Sequence, residues 1–171
     1  MDGFYAEVIG SRSFASVWYW IVFALIWTRT THWTLGVPYE DARLGHKNGG
    51  QQQEDFETLL EINVRKTVGT FDSHNVLFTA VSAFLLATVF MLGFWFNIQF
   101  MQAGFLLLFP LSIVGSLSLR LAHKLDSHPL SGDDLFRAYV RHRRVKQFIG
   151  AIAIMFATFW GVSQTLFTPY A

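Results

Sequence analysis

The 171-residue sequence contains no cysteine. This absence excludes disulfides, thiolate nucleophiles, cysteine-ligated zinc and iron–sulfur clusters held by this chain alone. Charged residues are also scarce, since they form 15% of the chain against about 25% of an average soluble domain. Hydrophobic residues form 52% of the chain, and this balance indicates a polytopic membrane protein.

Four apolar segments are long enough to cross about 30 Å of hydrocarbon at about 1.5 Å per residue. They cover about residues 14–33, 76–96, 100–119 and 148–167. Only Asn97, Ile98 and Gln99 separate the second segment from the third, so these two helices are predicted to form a tight antiparallel hairpin. The expected fold is a single all-α membrane domain over residues 1–171 with four transmembrane helices.

The interiors of the apolar segments lack histidine, lysine, aspartate and glutamate. Haem bound between membrane helices needs a histidine there, a retinal Schiff base needs a lysine, and ion coupling usually uses an acid at membrane depth. Rhomboid-like hydrolysis needs a histidine beside a serine. Glu54, Glu57 and Glu61 lack the Glu-x-x-His partners of a di-iron bundle. The sequence therefore predicts no catalytic residue, metal site or cofactor.

The connection between the first and second segments has helical character. Gly36-Val37-Pro38 ends the first helix, because proline cannot continue it, and Pro38–Lys47 is predicted as a short helix or turn. From Glu54 onward, apolar residues recur at three- and four-residue spacing and predict a cytoplasmic amphipathic helix. These residues are Phe56, Leu59, Leu60, Val64, Val68 and Phe71. Such a helix packs on the bilayer surface or on neighbouring helices, or it docks a partner.

A bend is predicted before the transmembrane hairpin, and a polar connection is predicted after it. Gly69 and Asp72-Ser73 are expected to bend the amphipathic helix where it enters the second span. After the third span, Leu121–Leu130 is a polar connection, and a capping-box-like start at Ser131 predicts a helix over about 132–167.

The positions of Lys and Arg predict the orientation. Of the 13 such residues, only Arg12 lies outside the segments 29–75 and 120–147. Four spans place both segments on one side, which the positive-inside rule assigns to the cytoplasm. The N-terminus, the Asn97 turn and the C-terminus then lie in the periplasm, and the preferred location is a bacterial inner membrane.

Five cations precede the last span: Arg137, Arg141, Arg143, Arg144 and Lys146. They are predicted to anchor the topology by contacting anionic lipids of the cytoplasmic leaflet, at about 1 kcal/mol for each charge. A specific lipid, cofactor or nucleic-acid site is the alternative. Nucleic acid is the least favoured of these, because no aromatic interleaving or groove-reading motif accompanies the cluster.

Small residues predict close helix packing. The fourth span carries Gly150, Ala153, Ala157 and Gly161 at three- and four-residue spacing, which lets helices approach closely where lipid supplies no hydrophobic drive. Pro110 is expected to kink the third span. These contacts serve the internal bundle or extend to other chains.

The histidines admit two interpretations. Two Asp-Ser-His triplets end at His74 and His128, so a shared metal or proton-relay site is one hypothesis, and coincidence at helix ends is the other. His32 is predicted to be an interfacial anchor with Trp33. No role is assigned to His123 or His142.

The chain resembles a known family in four stretches: Ser13-Phe14-x-x-Val17-Trp18-Tyr19-Trp20-Ile21, His32-Trp33-x-Leu35-Gly36-Val37-Pro38, Gly93-Phe94-Trp95 and the run Ile113–Leu119. The family consists of small alphaproteobacterial membrane proteins, often labelled as a component of the Suf iron–sulfur assembly complex. The resemblance implies a bacterial inner-membrane protein and assigns no site residues.

The expected function is non-catalytic. The leading hypothesis is an accessory or scaffolding subunit of a larger inner-membrane complex, or a homo-oligomer. A homo-oligomeric channel or small transporter, with a pore lined by Ser and Thr, is the second hypothesis. The third is a cofactor- or pigment-associated protein that uses its interfacial histidines.

Overall fold

The computed structural model describes residues 17–167, apart from the side chains of Asn75 and of residues 165–167. The start of the predicted first span, Arg12 and both chain ends lie outside the described residues. The elements are α1 (Val17–His32), β1 (Trp33–Thr34), β2 (Val37–Pro38), α2 (Tyr39–Asn48), α3 (Gly50–Phe90), a π-helix (Met91–Trp95), α4 (Gln99–Ser127) and α5 (Gly132–Phe167).

A short β-hairpin follows α1 at the predicted helix break. Strands β1 and β2 pair antiparallel, with Trp33 opposite Pro38 and Thr34 opposite Val37. Leu35 and Gly36 both have positive φ, at 50° and 75°, as two-residue turns with the twist of a hairpin require. Pro38 has an extended backbone and directly precedes α2, in agreement with the predicted short helix.

The amphipathic segment and the second apolar segment form one 41-residue helix, α3. Phe56, Leu60, Val64 and Val68 are buried as the spacing predicts, whereas Leu59 is exposed. The backbone leaves helical geometry at His74, with φ −135° and ψ 18°. This kink directly follows the predicted bend at Asp72-Ser73.

The transmembrane hairpin turns within a few residues, as its short link predicts. The chain passes through the π-helix Met91–Trp95 before α4 begins at Gln99, and Asn97 adopts a positive φ of 54°. The expected polar connection Leu121–Leu130 needs correction, because α4 continues helically to Ser127. Ala122 and Leu125 on this extension are buried in a hydrophobic core, and this burial favours two further turns of helix.

Three helical segments are long and apolar enough to cross a membrane: Val76–Trp95, Gln99–Ser127 and Gly132–Gln164. The described part of the predicted first span, α1, has 16 residues, so it extends about 24 Å at about 1.5 Å per residue. Helix α5 begins at the predicted residue and is helical to Phe167, the last described residue. The described part of the chain is thus almost entirely helical, with one β-hairpin of two-residue strands and three apolar helices long enough to cross a membrane.

The chain forms two compact units. Among the described residues, the first contains 17–27, 79–112 and 149–167, and its buried residues include Phe23, Trp27 and Ala103. The second contains 28–78 and 113–148. Its core consists of Val37, Ala42, Phe56, Leu60, Val64, Val68, Ala122, Leu125, Leu135 and Tyr139.

Candidate functional site

Helix α5 holds the β-hairpin through two side chains. The hydroxyl of Tyr139 donates a hydrogen bond to the carbonyl oxygen of Val37 at 2.8 Å. Nζ of Lys146 donates to the carbonyl oxygen of Trp33 at 2.6 Å. The two side chains are seven residues apart and therefore share one face of the helix, so the ends of the hairpin are fixed to a single face of α5.

Two arginines lie over aromatic rings of the same region. The guanidinium carbon of Arg143 lies 3.9 Å from the ring centroid of Tyr39, directly after β2, and that of Arg29 lies 5.2 Å from the ring of Trp33. Such stacking is typical of cation–π contacts. Arg29, Arg143 and Lys146 together are called here the hairpin cations.

The hairpin cations have no acidic partner among the described residues. The ion pairs within 4.0 Å in this part of the chain are His46–Asp133, His123–Asp72 and Arg137–Asp134. Lys146 is only 3% exposed, and its burial, together with the smaller effect of the Arg143 charge, lowers the pKa of its ammonium to about 8. The three cations thus range from exposed Arg29 through half-buried Arg143 to buried Lys146.

The five cations predicted as a lipid anchor differ in their surroundings. Arg137, Arg141 and Arg144 are exposed, and Arg137 contacts the carboxylate of Asp134 at 3.5 Å. Arg143 is half-buried and Lys146 is buried. Three of the five thus face outward, while the other two contact the hairpin region.

The histidines take part in local contacts. Nε2 of His142, which is buried, lies 3.0 Å from the hydroxyl of Ser118. Nε2 of His123 lies 3.6 Å from a carboxylate oxygen of Asp72. Asp72 belongs to the triplet that ends at His74, whereas His123 belongs to neither triplet. Within the described residues, no group of three or more His, Asp and Glu is placed to hold a metal ion.

The predicted packing residues lie in the first unit. Gly150, Ala153, Ala157 and Gly161 are all buried. A Cβ added at Gly150 would lie 2.8 Å from Cε3 of Trp27, so this glycine permits close contact between α5 and α1. Pro110 is buried inside α4, which continues through it.

A buried amide fixes the transmembrane hairpin. Gln102 is 1% exposed. Its Nε2 donates to the carbonyl oxygen of Gly93 at 2.9 Å and to Oδ1 of Asn97 at 3.0 Å, and its Oε1 accepts from Nε1 of Trp160 at 3.0 Å. Gln102 is therefore a fully bonded structural group that joins the π-helix, the turn and α5.

The second unit also contains a cavity of about 370 Å³. Its apolar part includes Leu60, Leu125 and Leu135, and its polar part includes Glu57. The carboxylate of Glu57 accepts a hydrogen bond from the backbone N–H of Gly132 at 2.8 Å and one from Gln53 at 3.0 Å. Glu57 thus serves as a cap for the start of α5 rather than as a free acid.

No family model matches the chain, and no curated protein or solved structure is detectably similar to it. The resemblance to small alphaproteobacterial membrane proteins stays a prediction.

The sequence predicts no role for Gln102, and it predicts Lys146 as a lipid anchor rather than as a partner of Trp33. Gln102 interrupts an otherwise apolar run and Lys146 ends a basic run. The only sequence signal for Gln102 was its polarity at membrane depth, where polar side chains usually find internal partners. Nothing in the sequence distinguished Lys146 from the arginines beside it.

Proposed function

We propose that this protein is a non-catalytic integral membrane protein that acts as an accessory or scaffolding subunit of a larger inner-membrane complex, or as a homo-oligomer. One observation carries the proposal. Only 6% of the apolar segment Val76–Trp95 is buried within the chain, so nearly all of this helix is available to lipid or to other helices. Phe78, Phe84 and Trp95 are among its exposed side chains.

The buried polar groups support a structural role. Gln102, Tyr139 and Lys146 each bond to another group of the chain. Hydroxyls on the apolar helices also bond to their own backbone, as Thr88 does to Phe84 and Thr158 to Ile154.

The topology proposed for this role has four spans, with both termini in the periplasm of a bacterial inner membrane. Helix α1 supplies the described part of the first span. Two findings support the proposal: twelve of the 13 Lys and Arg residues lie in 29–75 and 120–147, and both segments fall entirely within one compact unit. Anionic lipids of the cytoplasmic leaflet are the proposed partners of the exposed arginines.

Native mass spectrometry of the protein, extracted with a mild detergent, tests the function. Larger subunits that co-purify in fixed stoichiometry, or a defined homo-oligomer without ion conductance, support the scaffolding role. A ring of identical subunits that conducts ions in planar bilayers supports the alternative, a channel or small transporter. A monomer without partners contradicts both.

A further inference from the structure

We propose that the hairpin cations, Arg29, Arg143 and Lys146, form a binding site for the phosphate group of a ligand. The proposal rests on the second unit of the fold and is independent of the scaffolding role. The three side chains are connected through the hairpin region. Arg29 stacks on the ring of Trp33, Lys146 donates to the carbonyl oxygen of Trp33, and Arg143 stacks on Tyr39.

The buried cations lack a counter-charge from the chain. A buried charge is costly unless it is paired and hydrogen-bonded. Lys146 is buried, and no described carboxylate lies within 4.0 Å of Lys146 or Arg143 as an ion-pair partner. Glu40 and Asp41 begin α2 nearby but are exposed and make no such pair. An anion from outside the chain would supply the missing negative charge.

Arg143 and Lys146 have unused hydrogen-bond donors. Nε of Arg143 is buried and has no hydrogen-bond partner among the described residues. The ammonium of Lys146 has three donors, and within the described part of the chain it makes one hydrogen bond, to Trp33. Arg143 remains half-buried rather than enclosed, so its guanidinium gives a ligand access to the cluster.

The chemistry of the three cations favours phosphate as the anion. Guanidinium groups bind phosphate through paired N–H donors, and lysine adds a compact point charge. Arg143 and Lys146 lie on α5 directly before its predicted span, and Arg29 lies in the last turn of α1. In the proposed topology both places are cytoplasmic ends of spans, where phospholipid headgroups lie. The phosphate group belongs either to an anionic lipid or to a small soluble phosphate, and both would use the same donors.

The test uses the full-length protein in detergent and native mass spectrometry. Phosphatidylglycerol, phosphatidylcholine or inorganic phosphate is added, and the retained adducts are counted. Arg143→Gln and Arg29→Gln each remove one hairpin cation. Arg137→Gln is the matched control, because it makes the same change on α5 at a side chain that is 74% exposed.

Phosphatidylglycerol is expected to bind in preference to phosphatidylcholine, and Arg143→Gln is expected to weaken retention about tenfold, as for a lost charge-assisted hydrogen bond. Arg137→Gln is expected to weaken retention less, by at most about fivefold, as for one exposed charge that faces anionic headgroups. If phosphatidylglycerol is retained and excess inorganic phosphate does not displace it, the ligand of the site is a lipid. If inorganic phosphate is retained and displaces the lipid, the ligand is a soluble phosphate.

Equal loss of ligand retention in Arg137→Gln and Arg143→Gln would overturn the proposal, because it would show that the anion responds only to the net charge of the protein. The proposal would also be overturned if phosphatidylglycerol and inorganic phosphate were both retained no better than phosphatidylcholine. If Arg143→Gln fails to fold, Arg29→Gln decides, since Arg29 is exposed. The same spectra report the oligomeric state, so failure of the scaffolding role is visible separately from failure of this site.

Discussion

The ammonium of Lys146 lies 2.6 Å from the backbone carbonyl oxygen of Trp33, 113 residues earlier in the chain. This bond gives one member of a basic cluster a structural partner. Lys146 and Tyr139 together hold both strands of the β-hairpin against α5. The hairpin is thus a fixed connection between α1 and α2, in spite of its short strands.

Removing the Tyr139 hydroxyl is expected to destabilise the protein. Tyr139→Phe leaves the carbonyl oxygen of Val37 buried without its 2.8 Å hydrogen bond, at a cost of about 1–2 kcal/mol in the free energy of unfolding. Thermal unfolding in detergent measures the effect. Tyr39→Phe makes the same chemical change and keeps the ring under Arg143, so its unfolding midpoint should stay close to that of the wild type. Equal midpoints for the two variants would contradict the role of Tyr139.

Gly36 is expected to tolerate no side chain. Its φ is 75°, and an added Cβ would lie 3.1 Å from the Asn63 side chain. Gly36→Ala should therefore lower the free energy of unfolding by about 1–2 kcal/mol. Gly69→Ala is the matched control, since an added Cβ there meets nothing within 4 Å and alanine favours helix by about 1 kcal/mol over glycine. Denaturant titration of both variants checks the prediction, and a stabilising Gly36→Ala would refute it.

Gln102 is expected to be essential for the stability of the transmembrane hairpin. Gln102→Leu leaves the carbonyl oxygen of Gly93 and the indole N–H of Trp160 without the hydrogen bonds that they share with this amide. Each buried group left unsatisfied costs about 1–3 kcal/mol.

Hydrogen exchange of the backbone amides around Gly93 measures the loss of stability of the transmembrane hairpin. Exchange should become faster in Gln102→Leu. Gln147→Leu provides the control, because Gln147 is exposed on α5 and should leave exchange unchanged. Unchanged exchange in both variants would show that the amide network does not hold the turn.

The helices were largely predictable from the sequence, and the reasons are local. The run from Gly132 to Phe167 is helical from the residue where the sequence pattern starts the helix to the last described residue. The spacing of Phe56, Leu60, Val64 and Val68 correctly gives the buried face of α3. These features depend on residues three or four positions apart, which periodicity reports directly.

The long-range contacts were not predictable in the same way. The Lys146–Trp33 bond joins residues far apart in the chain, and the two-residue strands are too short to show an alternating pattern. Leu35 adopts a positive φ of 50°, which leucine seldom does. The extension of α4 to Ser127 was also missed, because Ala122 and Leu125 are buried by partners that the sequence does not reveal.

The central claim is the four-span topology, with 29–75 and 120–147 on the cytoplasmic face. The chain has no cysteine, so single cysteines can be introduced without removing native ones. Ser11→Cys, Asn97→Cys, Gln52→Cys and Ser131→Cys sample the N-terminus, the hairpin turn and the two polar segments. The measurement is labelling by a membrane-impermeant thiol reagent before and after the inner membrane is permeabilised.

The account predicts that cysteines at positions 11 and 97 react in cells with an intact inner membrane, whereas those at 52 and 131 react only after permeabilisation. Labelling at position 97 but not at 11 in intact cells would show that α1 does not cross the membrane and that the chain has three spans. Labelling at 52 or 131 in intact cells would contradict the proposed orientation.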